Sequence, residues 1–319
     1  MKSNDKHISV LLNETIDALN VKPDGCYVDC TLGGGGHSEQ IVKRLSDQGR
    51  LIGIDQDDYA IARAGARLSD YPCRKDFVRD NFSHLPDILD ALQISDVDGV
   101  VFDLGVSSFQ FDQPERGFSY HHDGPLDMRM DRQQELRAAD VVNTYSEQAL
   151  KQVILEYGED KFAGRIARAI VSRRQRQPFT RTLDLADVIR EAYPEKFRRK
   201  GHPAKKTFQA LRIEVNGELR ILTQAVKNAI ARTKPGGLIC VITFHSLEDR
   251  QIKQLFNEQA DPCICPPEFP VCVCGRKPTI KKITRKPIAT SKEELQDNRR
   301  ARSAKLRVAE RLKCEETEG

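Results

Sequence analysis

The chain has 319 residues, of which 39% are hydrophobic and 31% charged, and its formal net charge is +4. This composition is ordinary for a globular protein, and the length allows about two domains. The longest apolar runs, such as LICVITF, are far shorter than the roughly 20 residues of a membrane-spanning helix. No apolar signal segment opens the chain, so its nine cysteines are expected to be reduced in the cytoplasm, without a membrane partner.

Apolar segments alternate with helical segments over the first hundred residues. Strands are predicted at 26–31, 50–57, 75–82 and 98–105, with amphipathic helices between them. This alternation indicates right-handed crossovers and a parallel sheet. In such a sheet, ligands bind at the carboxyl ends of the strands, so functional residues are expected there.

A run of four glycines, Gly33–Gly36, follows the first strand and opens a helix. Residues without side chains let the backbone approach a ligand closely, and the N–H groups of a helix start attract anionic groups. Asp55 ends the second strand about 20 residues after Gly35, the usual distance for a carboxylate that binds ribose hydroxyls. No Gly-Lys-Ser/Thr follows, which excludes a P-loop and favours a nucleoside cofactor.

Two nucleoside cofactors compete for this turn. A dinucleotide site requires a third glycine after Gly33 and Gly35, but the chain has Ser38 there. S-adenosylmethionine sites use the same strand–turn–helix unit and tolerate that change. The fourth strand ends at Asp103 in DLGVSS, and amino-group methyltransferases carry an acid or amide at this point beside the target amine. The sequence therefore favours S-adenosylmethionine over NAD.

The alternation stops between about 116 and 210, where successive amphipathic helices are predicted at 146–158, 161–175 and 182–193. From 161 to 206 the chain has 14 Lys and Arg against 4 Asp and Glu, so the segment carries +10 and the rest of the chain −6. Phe162, Phe179, Tyr193, Phe197 and Phe208 are interleaved with these charges. Basic and aromatic side chains together suit RNA, although a solvated helical face with core aromatics stays open.

The last third of the chain returns to a strand–helix pattern. A long helix is predicted over 209–233, a fifth strand over 238–244 and a final strand over 304–311. Ser246 and Asp249 form a predicted capping pair at a further helix start. His245 lies at a strand end and could face a target base, although a lone histidine is more often structural.

Four cysteines lie close together in CICPPEFPVCVC: Cys263, Cys265, Cys272 and Cys274. Four thiols can bind zinc tetrahedrally, but usual zinc spacings are wider than the single residue within each of these pairs. We therefore predict no metal, and a proline-rich loop with reduced thiols.

Several longer motifs resemble the bacterial 16S rRNA cytosine-N4 methyltransferase family. They include TLGGGGHS, FDLGVSSFQFDQPERGFSYHHDGPLDMRMD, HPAKKTFQALRIEVNGEL and ITFHSLEDR, and the match runs from about residue 6 to NRRARSAKLRVAER. The resemblance implies a class I S-adenosylmethionine-dependent methyltransferase fold, which is α/β with a Rossmann-like, mostly parallel sheet and an inserted helical domain. It implies methyl transfer to the N4 amine of a cytidine in the decoding region of 16S rRNA, in the context of the small ribosomal subunit. The oligomeric state stays open.

The resemblance also assigns site residues. Gly35, Gly36 and His37 would meet the methionine end of S-adenosylmethionine, Asp55 the ribose and Phe82 the adenine, while Asp103 and Gln110 would line the methyl-donor end. Asp103 is also the predicted catalytic proton acceptor, although the Pro-Pro-aromatic sequence of many amino-methyltransferases is absent after it. On the residues alone, His37 could cap its helix, Phe82 could be a core ring and Gln110 a loop residue.

The predicted organisation is a methyltransferase core over 1–115 and 211–319, interrupted by a basic, helical RNA-binding domain over 116–210. Two other functions stay open. An NAD-dependent oxidoreductase is disfavoured by the missing third glycine. A non-catalytic RNA-binding ribosome assembly factor is disfavoured by the intact glycine turn with Asp55 and Asp103.

Overall fold

The computed structural model describes residues 9–198, 201–266 and 268–313, without the side chains of Ser108 and Arg299. The chain divides into two units, one formed by Met1–Gly105 with Ile221–Gly319 and the other by Val106–Arg220. The insert expected over 116–210 falls inside the second unit, and its boundaries and RNA-binding role stay predictions. The first residues of the family resemblance and two of the basic residues, Arg199 and Lys200, lie outside the described residues.

The first unit is built around an eight-stranded sheet. Its strands are β1 (Cys26–Asp29), β2 (Arg50–Asp55), β3 (Arg74–Arg79), β4 (Val97–Asp103), β5 (Thr233–Thr243), β6 (Ile280–Lys282), β7 (Ile288–Ala289) and β8 (Lys305–Arg311). Their order is β3-β2-β1-β4-β5-β8-β6, with β7 paired to β8. The strands β1 to β5 run parallel, whereas β8 is antiparallel to β5. The predicted mostly parallel sheet is thus confirmed.

The central strands consist of consecutive apolar residues, without the alternation of apolar and polar residues that a half-exposed strand shows. Val100, Val101 and Phe102 are consecutive in β4 and fully buried. Because successive side chains of a strand point to opposite faces, both faces of the sheet are covered at this point. The first four strands end two or three residues before the ends of the predicted segments, and β2 and β4 end at Asp55 and Asp103, where the chain leaves the sheet.

The described residues form helices of 4 to 15 residues. These are α1 (Leu12–Leu19), α2 (Gly36–Val42), α3 (Asp58–Leu68), α4 (Leu85–Ala91), α5 (Ser108–Asp112), α6 (Ala138–Thr144), α7 (Glu147–Gly158), α8 (Ala163–Arg174), α9 (Thr182–Ala192), α10 (Glu195–Arg198), α11 (Ala204–Asn216), α12 (Glu218–Ala231), α13 (Ser246–Ala260) and α14 (Lys292–Asp297). None of these helices combines the length and the apolar character that crossing a membrane requires.

Two helix predictions near the end of the chain are wrong in detail. The helix expected over 209–233 is interrupted, because Gly217 has a left-handed backbone (φ +62°) that ends α11 before α12 begins. The cap of α13 is His245 rather than Ser246. The Glu248 carboxylate accepts hydrogen bonds from the N–H groups of Phe244 (2.7 Å) and His245 (3.2 Å). The side chain of His245 is only 8% exposed at this cap, which supports the structural interpretation of this histidine.

The second unit is helical and has its own core, and the three helices predicted for it are confirmed as α7, α8 and α9. Three of the aromatic residues interleaved with the basic charges are core residues: Phe179, Phe208 and Tyr193 are at most 8% exposed. They are therefore unavailable for stacking on RNA bases. Phe162 and Phe197 are half-buried and pack beside this core.

Candidate active site

Three neighbouring strands of the first unit end in an aspartate. These are Asp29 in β1, Asp55 in β2 and Asp103 in β4. Since the three strands are adjacent and parallel, their carboxyl ends meet at one edge of the sheet. Asp55 and Asp103 lie at strand ends, as predicted. The sequence analysis missed Asp29, although the same signal, an acid at the end of an apolar segment, precedes the glycines.

Asp55 ties the glycine turn to the next helix. Its Oδ2 accepts a hydrogen bond from the Gly33 N–H (2.8 Å), and its Oδ1 accepts one from the Asp57 N–H (2.9 Å). Asp57 in turn caps α3 by accepting from the Tyr59 N–H (3.1 Å). Burial raises the pKa of Asp55 to about 6, and the two N–H donors oppose this rise. Each carboxylate oxygen has two acceptor positions, so Asp55 can still accept ribose hydroxyls.

The glycines are needed for the protein's own packing. Gly33 and Gly35 have left-handed backbones, with φ of +49° and +74°. A Cβ on Gly35 would lie 3.2 Å from the Ala64 Cβ in α3, and a Cβ on Gly36 would collide with the Ser9 hydroxyl. At Gly34 the nearest atom is the Arg63 Nε at 3.8 Å, an ordinary contact. Gly35 and Gly36 thus leave room for neighbouring residues of the protein, while the close approach of a ligand to this turn stays a prediction.

His37 lies between the N-terminal segment and Asp103. Its Nε2 is 3.1 Å from the Val10 carbonyl oxygen, and its Nδ1 is 3.6 Å from the Asp103 Oδ2. Because a carbonyl only accepts, the Nε2 that faces Val10 carries a proton, while the Nδ1 faces the Asp103 carboxyl. His37 does not cap α2, since Gly35 occupies the N-cap position.

Asp103 is held by its backbone and leaves one oxygen without a partner. Its N–H donates to the Thr31 hydroxyl (2.6 Å), while its Oδ1 is buried and has no hydrogen-bond partner among the described residues. Burial raises the pKa of the Asp103 carboxyl well above its ordinary value, and the negative charges of Asp29 and Glu248 raise it further. A buried acceptor without a donor costs free energy, so this oxygen marks a position where a ligand N–H or O–H would be favourable.

The third strand-end acid, Asp29, has a structural role. It is buried and accepts hydrogen bonds from the Ser38 hydroxyl (2.7 Å) and the Thr31 N–H (3.1 Å). Burial raises the pKa of Asp29, and the neighbouring His37 and these two donors oppose the rise. Ser38 occupies the position where a dinucleotide site has its third glycine, and its hydroxyl gives the buried Asp29 a donor that a glycine cannot supply.

The last two predicted site residues lie in different local settings. Phe82 does not end β3; it begins a short 3₁₀ helix, Phe82–His84, where its half-buried ring packs edge-on against Phe102 with 5.7 Å between ring centroids. Gln110 belongs to the second unit and is buried in α5, where its Oε1 accepts from the Ser107 N–H (3.2 Å). The assignment of both residues to a cofactor site stays a prediction.

A mostly parallel sheet with a glycine turn after β1 and acids at the ends of β2 and β4 is the arrangement expected of a class I methyltransferase, an enzyme that uses S-adenosylmethionine. Residues 4–312 match the model of the MraW methylase family. The chain belongs to this family, and the expected family and cofactor are confirmed.

Close relatives cover nearly the whole chain. Ribosomal RNA small subunit methyltransferase H of Clostridium botulinum (strain Kyoto / Type A2) is 56% identical over 307 residues, which are 96% of this chain and 99% of that protein. The protein of the same name from Carboxydothermus hydrogenoformans is 56% identical over 306 residues, 96% of this chain and 98% of that protein. Among solved structures, an rRNA methylase from Streptococcus thermophilus aligns over 94% of this chain and 95% of its own, with 10% identity and a TM-score of 0.43.

The packing of the glycine turn predicts that alanine at Gly35 and alanine at Gly34 affect stability differently. Gly35→Ala is expected to lower the free energy of unfolding by about 1–2 kcal/mol, because a side chain there is strained by the left-handed backbone and crowds Ala64. Gly34→Ala, the matched control, is expected to change it by less than about 0.5 kcal/mol. Urea unfolding of the two variants measures the difference, and equal stabilities would contradict this account of the turn.

Proposed function

We propose that the protein transfers a methyl group from S-adenosylmethionine to the exocyclic N4 amine of a cytidine in the decoding region of 16S rRNA. The name of the close relatives supports an rRNA substrate. The observation that supports an amine as the methyl acceptor is the buried Asp103 Oδ1. This oxygen lies at the carboxyl end of β4 and has no hydrogen-bond partner among the described residues. The choice of cytosine and of the decoding region rests on the motif resemblance.

The residues at the sheet edge suit S-adenosylmethionine, which supplies an electrophilic methyl group when bound. Asp55 would accept the ribose hydroxyls with the acceptor positions that Gly33 and Asp57 leave open. Gly35, Gly36 and His37 would line the methionine end and Gln110 the methyl-donor end. The half-buried ring of Phe82 would pack on the adenine.

Asp103 would carry the chemistry at the target amine. The exocyclic amine of cytosine is a weak nucleophile because its lone pair is delocalised into the ring. An N–H hydrogen bond to the Asp103 Oδ1 would orient the nitrogen and favour a localised lone pair, which is chiefly a positioning effect. The methylated nitrogen must then lose a proton, and a carboxylate whose pKa is raised accepts a proton readily. His37, whose Nδ1 is 3.6 Å from the Asp103 Oδ2, lies beside this carboxyl.

Only some of the basic side chains in the second unit would bind the RNA backbone. Arg173 and Arg174 are half-buried, and their Nη1 atoms donate to the carbonyl oxygens of Gln177 (2.6 Å) and Val142 (2.7 Å). Their charges are therefore partly committed to the protein itself. By contrast, Arg165, Arg168 and Arg176 are exposed; Arg165 and Arg168 lie three residues apart on one side of α8, and Arg176 follows just after its end.

The function is tested directly by mass spectrometry of 16S rRNA nucleosides. Cells that lack this protein are expected to lose an N4-methylated cytidine, and wild-type protein is expected to restore it. Asp103→Ala is expected not to restore it, because the acceptor of the amine is gone. An unchanged nucleoside profile would contradict the proposal. Rescue of ribosome assembly by Asp103→Ala, without any rRNA methylation by the wild type, would favour the assembly factor.

A pH profile separates the chemical role of Asp103 from binding. At saturating S-adenosylmethionine, the single-turnover rate of the wild type is expected to rise with pH as the carboxyl loses its proton. The raised pKa places this rise above the usual range of a carboxyl. Asp103→Asn is expected to abolish the rise and slow transfer by about 10²–10⁴-fold, with RNA affinity unchanged. Asp96→Asn, at an exposed acid just before β4, is the control. A normal rate in Asp103→Asn would remove it from catalysis.

A salt titration tests the exposed face of α8. Replacing Arg165, Arg168 and Arg176 together by glutamine is expected to weaken RNA binding, because each lost phosphate contact lowers the slope of log affinity against log salt by roughly 0.7–0.9. Cofactor affinity is expected to stay unchanged.

The control for this triple variant removes the same charge from the first unit. Lys43, Arg44 and Arg74 are exposed and, like Arg168, lie within ion-pair distance of an acid. Their replacement by glutamine is expected to leave the salt slope unchanged. Equal effects of the two triple variants would mean that only net charge matters and that α8 presents no RNA-binding face.

A further inference from the structure

A cysteine-rich segment between α13 and β6 is not used by the proposed methyl transfer. Residues 262–279 form no helix or strand where the structure describes them, and several of their apolar side chains are exposed. Val271 and Val273 are 70% and 73% exposed, and Ile264 is 64% exposed. A segment that buries so little apolar surface needs another interaction to fix its conformation.

The four thiols of this segment converge on one point. The sulfur atoms of Cys263, Cys265, Cys272 and Cys274 all lie within 4.8 Å of one another. The Cys272 sulfur is 3.5 Å from that of Cys263, 3.9 Å from that of Cys265 and 3.4 Å from that of Cys274. In a tetrahedral zinc site with Zn–S bonds of about 2.3 Å, two sulfurs are about 3.8 Å apart. The cluster therefore has the dimensions of such a site.

This convergence answers the objection that the sequence spacing raises against a metal. The short spacing within each pair argued against a metal, but the sulfurs of Cys265 and Cys272 are 3.9 Å apart, so both pairs face one point. Each pair supplies two sulfurs, so the segment provides a complete set of four ligands.

The backbone around the cluster is arranged for thiolates. The Val273 N–H donates to the Cys265 sulfur (3.3 Å). The N–H groups of Ile264 and Arg276 also point to the sulfur of Cys274. Six exposed basic residues follow closely and offset negative charge: Arg276, Lys277, Lys281, Lys282, Arg285 and Lys286.

We propose that Cys263, Cys265, Cys272 and Cys274 bind one zinc ion through their four sulfur atoms. Four sulfur ligands in a tetrahedral arrangement select zinc among common divalent ions. Each thiol releases its proton to solvent when its sulfur bonds to the metal, and no electron is transferred. Because protein ligands fill all four positions, the site has no place for water or substrate and is structural.

The zinc ion would fix the conformation of residues 262–279 in place of a hydrophobic core. Metal binding at such a site contributes directly to the stability of the segment that supplies the ligands. It would thereby hold the exposed apolar side chains and the basic residues that follow in a defined arrangement on the first unit.

Metal analysis of the full chain, purified with a phosphine reductant and without chelator, tests the proposal. Wild-type protein is expected to contain one zinc per chain, and Cys263→Ser and Cys272→Ser are expected to lose it. Cys26→Ser, which changes a half-buried thiol of β1 outside the cluster, is the matched control and is expected to keep it. Cobalt(II) is expected to give the visible spectrum of a tetrahedral thiolate site in the wild type and in Cys26→Ser only.

A second measurement separates loss of the site from loss of the fold. Zinc removal by a chelator is expected to open residues 262–279 to protease cleavage while S-adenosylmethionine affinity persists. Reduced wild-type protein that takes up neither zinc nor cobalt would overturn the proposal. Zinc content unchanged in both Cys263→Ser and Cys272→Ser would also overturn it, as would thiols found joined in disulfides before reduction.

Discussion

The candidate site depends on the carboxylate of Asp55, whose two oxygens each hold one backbone N–H group. One N–H belongs to Gly33 in the turn after β1 and the other to Asp57 at the start of α3. These bonds fix the glycine turn relative to the end of β2. Since Gly35 packs directly against Ala64 of α3, the turn and the helix also hold one another by contact. The sheet edge is thus preorganised by the protein's own interactions.

The same edge concentrates buried acids. Asp29 is satisfied by Ser38 and Thr31, whereas Asp103 keeps one oxygen without a partner among the described residues. Burial raises the pKa of Asp103 and the charge of Asp29 raises it further, so an acid that serves the structure affects the acid proposed for the chemistry. His37 stands beside both and is oriented by the Val10 carbonyl.

The number of basic residues in the segment 161–206 overstates how many of them are available to bind RNA. Arg174 is bonded to the carbonyl of Val142, and Phe179 is fully buried. Arg165 and Arg176, by contrast, are exposed. A count over the sequence includes all of these residues, because it does not show which side chains are buried in the folded unit.

The sequence by itself determined the strand–helix alternation, the glycine turn, the strand ends at Asp55 and Asp103 and the family. These features are local, since apolar runs set the strands and the turn follows from consecutive residues. Tertiary structure alone decided that His37 meets Asp103, that Ser38 serves Asp29 and that four cysteine sulfurs converge. Such contacts join residues that are distant in the chain or separated by a reversal of its direction. Their distances depend on how whole elements pack, which local patterns do not encode.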